Sequence, residues 1–239
     1  MTQEHIVKAY DAEINRLRSM ISEMGGLAEA QIADSIKALQ QRDNELAEKV
    51  IAADKKLDKF EADVEKMTIQ MIALRAPIAD DLREIFSALK ICSMLERIGD
   101  YAKNVAKRSL VLTKSETIKP AVIVPQMTHL IREMLKDVLD AYIDRDSEKA
   151  LAVWQRDKAV DDLYNSLFRE LLTYMMENPK LITPSAHLLF IAKNIERIGD
   201  HTTNIAEIVY FLVEGEILEE SRPKSDNTSY ADVAHPNEA

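Results

Sequence analysis

Between residues 46 and 74, apolar side chains recur at steps that alternate strictly between four and three: Leu46, Val50, Ala53, Leu57, Phe60, Val64, Met67, Met71 and Leu74. That spacing keeps them on one stripe of an α-helix, and the stripe has to be buried against other helices. The preceding segment repeats the pattern at Ile6, Tyr10, Ile14, Leu17, Ile21, Met24, Ala28, Ile32, Ile36 and Leu39, with only Gly25-Gly26 offering a place to kink. A third stripe, Ile91, Leu95, Ile98, Ala102, Val105, Ser109 and Leu112, follows a start near Pro77. Residues 40–44 make a short turn in which Asp43 is the candidate cap of the second helix, so neighbouring helices run antiparallel.

A composition break at residues 113–125, with Pro120 and Pro125 around a short apolar run, marks a boundary. The helical period then resumes at Met127, Leu130, Ile131, Met134, Leu135, Val138 and Leu139 and stops at Asp144-Arg145-Asp146. It continues through Val153, Val160, Leu163, Leu167, Leu171 and Tyr174 to a stop at Asn178-Pro179. Thr183 as cap and Pro184 at the first helical position open a last helix that runs through the apolar residues 208–213. With only 5 Gly and 7 Pro in 239 residues the chain has too few turn formers for a sandwich or barrel. The expectation is all-α: six long antiparallel helices in a tandem pair of three-helix bundles, at 1–116 and 117–220, with a disordered tail at 221–239.

Composition narrows function. The net charge of -10, from 41 acidic and 31 basic residues, opposes direct binding to nucleic acid or to anionic lipid and suits cations. No apolar run approaches the length of a membrane span, and the polar start Met1-Thr2-Gln3-Glu4-His5 does not resemble a signal peptide, so a cytoplasmic protein is expected. The single cysteine, Cys92, sits within an apolar stripe and reads as a packing thiol. Met20, Met24, Met67, Met71, Met175 and Met176 read as core filler and Trp154 as a bundle anchor.

The two halves are copies. Leu95-Glu96-Arg97-Ile98-Gly99-Asp100 returns as Ile195-Glu196-Arg197-Ile198-Gly199-Asp200, and Asn104-Val105-Ala106 as Asn204-Ile205-Ala206. Upstream, Asp54 and Asp58 correspond to Asp157 and Asp161, and Arg42-Asp43 to Arg145-Asp146. In each copy the second helix thus carries Asp-x-x-x-Asp and the third Glu-x-x-x-Asp, a spacing that sets both carboxylates on one helix face. Like charges so placed cost roughly 0.2–0.5 kcal/mol per pair unless a cation sits over them. One such pair is uninformative, since a solvated acidic face explains it; recurrence at matching places in both halves, beside the mid-helix glycines Gly99 and Gly199, points to a purpose.

Two such helices side by side converge four carboxylates, with Asn104 and Asn204 extending each stripe by an amide. An oxygen-rich, histidine-poor set suits Mg, Mn or Fe, with Zn less expected. The candidate ligands are therefore Asp54, Asp58, Glu96, Asp100 and Asn104 in the first half, and Asp157, Asp161, Glu196, Asp200 and Asn204 in the second. On the helical wheel Glu96 and Asp100 lie on the flank of the bundle, which predicts a surface site. His201, next to Asp200, is a further candidate; His5, His129, His187 and His235 form no ligand spacing. No catalytic motif or phosphate loop is present, so no catalytic residue is assigned.

The duplicated Glu-Arg-Ile-Gly-Asp-x-x-x-Asn-x-Ala element, with its upstream Asp-x-x-x-Asp partner, resembles the PhoU family of bacterial phosphate-uptake regulators over residues 1–220. The resemblance implies a symmetric pair of three-helix bundles binding metal clusters on their surface through the eight carboxylates named above. It also implies a non-enzymatic, often dimeric regulator that restrains phosphate import and the phosphate-starvation response. Its partners would be the ATPase subunit of the phosphate transporter, PstB, and the sensor histidine kinase, PhoR. The halves differ at Tyr101 against His201 and Lys103 against Thr203, so the two sites are not expected to be equal. The competing readings are a carboxylate-bridged metalloenzyme and a helical scaffold whose acidic stripes are merely solvated.

Overall fold

The computed structural model describes residues 3–114 and 123–219, with side chains from Tyr10 onward. Every regular element among them is helical: α1 (Gln3–Gln41), α2 (Asn44–Arg75), α3 (Asp80–Leu112), α4 (Ile123–Asp144), α5 (Ser147–Gln155), α6 (Asp157–Glu177), a 3-10 turn (Pro179–Leu181) and α7 (Ile182–Glu214). The boundary expected at 116/117 and the tail expected at 221–239 lie outside the described residues.

The recurring Arg-Asp pair is a helix-reversal device. Arg42 and Arg145 both adopt the left-handed conformation, with φ of 54° and 55°. The following Asp43 and Asp146 N–H groups donate back to Ala38 and Ala141 at 3.0 and 2.9 Å, closing the helix behind them. Each Asp carboxylate then accepts from a backbone N–H of the next helix, Leu46 at 3.0 Å and Lys149 at 2.9 Å.

Four local expectations need correction. α1 passes Gly25-Gly26 unbroken, and Gly25 serves close packing: a Cβ there would lie 2.5 Å from Leu139 of α4. The second helix of the second repeat is interrupted at Arg156, where i→i−3 bonds replace the regular ladder while Arg156 reaches Asp137 and Glu133 on α4 at 2.7 and 3.3 Å. The cap before α7 is Asn178, not Thr183; it starts the 3-10 turn that runs directly into α7, leaving Pro184 in the first helical turn where no N–H is needed. Met176 is no core filler, being 85% exposed. Trp154 is buried as an anchor, with its indole N–H bonded to Glu207 at 3.0 Å.

The repeats pack counterpart on counterpart. Across α3 and α7, Met94 meets His201 and Arg108 meets His187, so the partner number falls as the α3 number rises and the helices are antiparallel. Tyr101 and His201, equivalent positions, stack with ring centroids 5.4 Å apart. Equivalent residues can touch only beside the axis that relates them, so this stack marks the pseudo-two-fold. α1 meets α4 the same way, through Arg132 on Glu29 at 3.0 Å.

Most buried apolar residues form one continuous core through both repeats, from Leu17 and Ile91 to Ile131 and Ile195, with Ala38, Ala47, Val50 and Ala106 in a small cluster of their own. Cys92 lies in it, and burial pushes its thiol up to about 12, as expected for a packing residue. Glu84 of α3, also buried, is satisfied by Arg18 through two bonds of 2.8 and 3.0 Å and by Arg145 at 3.0 Å.

Within each repeat the mid-helix glycine faces the equivalent residue of the preceding helix, Leu57 for Gly99 and Val160 for Gly199. A Cβ on Gly99 would come 2.2 Å from Leu57 Cδ1, whereas one on Gly199 would be 3.3 Å from Val160. Overpacking costs about 1–3 kcal/mol, against about 1 kcal/mol of helix propensity gained by replacing glycine with alanine. Denaturant unfolding should therefore find Gly99→Ala clearly destabilised and Gly199→Ala neutral or slightly stabilised; equal effects would contradict the packing difference.

Candidate metal centre

α3 and α7 are the central helices of their repeats, each flanked on one side by the helix that carries the Asp pair. Half of the carboxylates consequently lie buried in helix–helix seams and not on an outer wall. Asp54 is 6% exposed, Asp157 and Asp161 2%, and Glu196 4%. The expected surface site is corrected in part: Asp54, Asp157, Asp161 and Glu196 are buried, because a helix touching three neighbours buries its flanks as well as its apolar stripe. Asp58 alone among the eight carboxylates is exposed; Glu96, Asp100 and Asp200 are half-buried, as are Asn104 and Asn204.

In the first repeat Lys103 reaches across from α3. Its Nζ donates to Asp54 Oδ2 and to Asp100 Oδ1, both at 2.5 Å. Burial acts to lower this lysine, but the bonds to Asp100 and Asp54 outweigh it and hold the ammonium above the ordinary lysine range. One turn towards the α3 N-terminus, burial together with Asp100 and Glu61 pushes the Glu96 carboxyl up to about 7, with Arg97 at 3.8 Å as its nearest cation. Glu61, itself raised by burial and by Glu65, belongs to this cluster. The sequence reading missed it, although it continues the Asp54, Asp58 stripe of α2 by three residues.

The second repeat arranges its charges differently. Thr203 stands where Lys103 does, and its hydroxyl turns back to the carbonyls of Gly199 and Asp200 at 3.1 and 2.9 Å. Tyr164 replaces Glu61, and Lys193 replaces Ser93, lying 4.9 Å from the Tyr164 ring centre. Lys193 donates to Glu196 Oε1 at 2.9 Å, while Glu196 Oε2 is buried without a hydrogen-bond partner. Burial, then Asp200 and Asp161, push the Glu196 carboxyl up to about 7 against the relief that Lys193 gives.

His201 reaches the interface of the repeats, with Nδ1 3.1 Å from Met94 Sδ and Nε2 3.4 Å from the Tyr101 hydroxyl. Among the described residues no group of three or more His, Cys, Asp or Glu is arranged to hold a metal ion. In donor chemistry the second repeat fits a hard cation, with an orphaned carboxylate oxygen beside Asp161 and Asp200. The first does not at its Asp54–Asp100 end, where an ammonium is already installed.

The PhoU domain family matches residues 21–109 and again 124–209, one match for each copy of this site. The chain belongs to the PhoU family. A phosphate-specific transport system accessory protein PhoU homolog of Caulobacter vibrioides is 50% identical over 224 residues, covering 93% of this chain and 97% of that protein. Its Rhizobium meliloti namesake is 49% identical over 232 residues, 96% of this chain and 97% of that protein. Among solved structures, PhoU of Pseudomonas aeruginosa superposes with a TM-score of 0.84 at 39% identity, covering 87% of this chain and all of that one. The phosphate transport system regulatory protein PhoU of Streptococcus pneumoniae gives 0.82 at 29% identity, covering 88% of this chain and all of that one. These PhoU folds bear out the all-α expectation.

The Glu196 carboxyl carries a pH prediction. An acid raised in the folded state binds its proton more tightly there, so its contribution to stability falls as pH climbs from about 4.5 to about 7. In metal-free protein, Glu196→Gln should be more stable than wild type by about 2 kcal/mol at pH 8 and nearly equal at pH 5, read by denaturant titration. A difference independent of pH would contradict the assignment.

Proposed function

We propose that this chain is a non-enzymatic adaptor that restrains phosphate import and the phosphate-starvation response. It acts in the cytoplasm as a homodimer, by contact with the transporter ATPase subunit PstB and the sensor histidine kinase PhoR. The observation that carries the reading is full-length likeness, near half identity, to proteins named as accessory to phosphate-specific transport. No described helix is long and apolar enough to cross a membrane, which accords with action on the transporter from outside the bilayer.

In this reading the second repeat also binds a divalent cation through the hard oxygens of Asp157, Asp161, Glu196 and Asp200, with Asn204 beside them. When bound, the ion offsets the carboxylate repulsion in the α6–α7 seam and so biases the surface these helices offer a partner. The metalloenzyme alternative needs carboxylates open to a substrate. Asp157, Asp161 and Glu196 are buried, which favours the adaptor.

Cells lacking this chain should express phosphate-starvation promoters in phosphate-rich medium, and its return should restore repression while the tagged protein captures the ATPase and the kinase. Normal repression in its absence, with neither partner captured, would overturn the reading.

A further inference from the structure

In the duplicated Glu-Arg-Ile-Gly-Asp element the acids line the seams and the glycines face the preceding helix, but the arginines serve neither. Arg97 and Arg197 are both exposed. Followed from Arg97 in steps of three and four residues, the outward stripe of α3 runs from Phe86 through Lys90, Tyr101 and Arg108 to Val111. The matching stripe of α7 runs from Ala186 through Phe190, Arg197 and His201 to Phe211. Neither stripe holds an acidic residue, in a chain that has 41 of them and a net charge of -10.

The two stripes form one surface. Arg108 of α3 lies over the Phe190 ring of α7, 4.1 Å from its centre, and Arg197 of α7 over the Tyr101 ring of α3 at 5.8 Å. A guanidinium stacked by its face keeps the N–H donors of its edge for a planar acceptor such as a carboxylate. Arg197 makes no ion pair among the described residues, and Arg97 has Glu96 at 3.8 Å, too long for a hydrogen bond. Phe86 and Phe190, 46% and 53% exposed, add apolar footholds. They stand towards opposite ends of the surface, since Phe190 lies under Arg108, 22 residues or about 33 Å along α3 from Phe86.

The width of this surface decides what it can receive. Two packed helices about 8–10 Å apart leave a groove for one further helix. The acidic seams flank that groove on both sides, with Glu96, Asp100 and Asp200 half-exposed along them. A bilayer or a nucleic-acid duplex is wide enough to press its phosphates on those carboxylates, whereas a single helix seats between them. Screening over about 8 Å in physiological salt lets such a narrow partner feel the arginines apart from the charge of the whole molecule.

We infer that the open face of α3 and α7 is a docking groove for one acidic, amphipathic helix of a partner protein. Its carboxylates pair with Arg97 and Arg197, and its apolar side chains seat on Phe86 and Phe190, the helix-in-groove mode of recognition. The inference rests on the adaptor reading and gives that adaptor a binding face.

Fluorescence anisotropy with the full chain tests this, the probe being a synthetic amphipathic helix of glutamate, alanine and leucine about 25 residues long. Wild type should bind it saturably and should not bind its glutamine-for-glutamate version. Arg97→Glu with Arg197→Glu should weaken binding by about tenfold or more at an unchanged melting temperature, and Arg97→Gln with Arg197→Gln, a gentler change, should weaken it in the same direction. Lys59→Glu with Lys66→Glu alters the net charge equally on exposed positions of α2, Lys66 lining the α1–α2 groove, and should leave binding intact. Wild type that ignores the acidic helix, arginine variants that bind it like wild type, or an equal loss in the lysine variant would overturn the groove. Phosphatidylglycerol vesicles or duplex DNA bound more tightly than the helix would overturn the choice of a protein partner. In cells the arginine variants should lose repression of phosphate-starvation promoters; repression that they retain, where deletion of the chain abolishes it, would overturn the groove and spare the adaptor reading. Repression that survives deletion would instead remove the adaptor reading, leaving the groove to the binding result.

Discussion

Carboxylates buried between helices need positive charge near them, and the way each repeat meets that need organises the rest of this structure. Moving an ionised carboxylate out of water is costly unless it is paired or hydrogen-bonded. Glu84 shows the fully answered case, with two guanidiniums on one buried carboxylate. Asp54 and Asp100 are answered by Lys103. Glu196 is answered on one oxygen only, and its raised proton affinity is the mark of that shortfall.

The architecture makes the shortfall possible without loss of fold. Because α3 packs on α7 and α1 on α4, a single core runs through both repeats, and the stack of Tyr101 on His201 sits at their axis. The acidic seams lie to either side of this core, α2 with α3 and α6 with α7. Each seam can therefore differ in charge from its twin while the shared core stays closed. The face of α3 that meets α7 and the face that holds Asp100 are distinct, which is why His201, adjacent in sequence to Asp200, reaches Met94 and Tyr101 at the interface.

Much of this was legible in the sequence because it follows from local rules. The four-three apolar spacing of α2, the Asp43 cap and the paired Arg-Asp turns are set by residues within a few positions of one another. The repeat offset placed every acid on its correct helix. Burial of those acids was not legible: a helical wheel shows which residues share a face, and not how many neighbours press on the helix. Nor was the reach of Lys103 to Asp54 across 49 residues of sequence, although its difference from Thr203 was visible. The break at Arg156 left no trace in the apolar period, because a one-residue change of hydrogen-bond register leaves the stripe almost in line.

The central claim is that Lys103 answers Asp54 and Asp100 within the chain while Glu196 is answered on one oxygen only, the feature on which the proposed cation binding in the second seam rests. Anomalous diffraction from crystals grown with manganese tests this most directly, because it locates the ion without reference to activity. The account predicts a manganese peak in the α6–α7 seam beside Asp157 and Asp200, and the Lys103 ammonium undisturbed between Asp54 and Asp100. A manganese peak between Asp54 and Asp100 with Lys103 displaced, or a second seam without metal at saturating manganese, would contradict it.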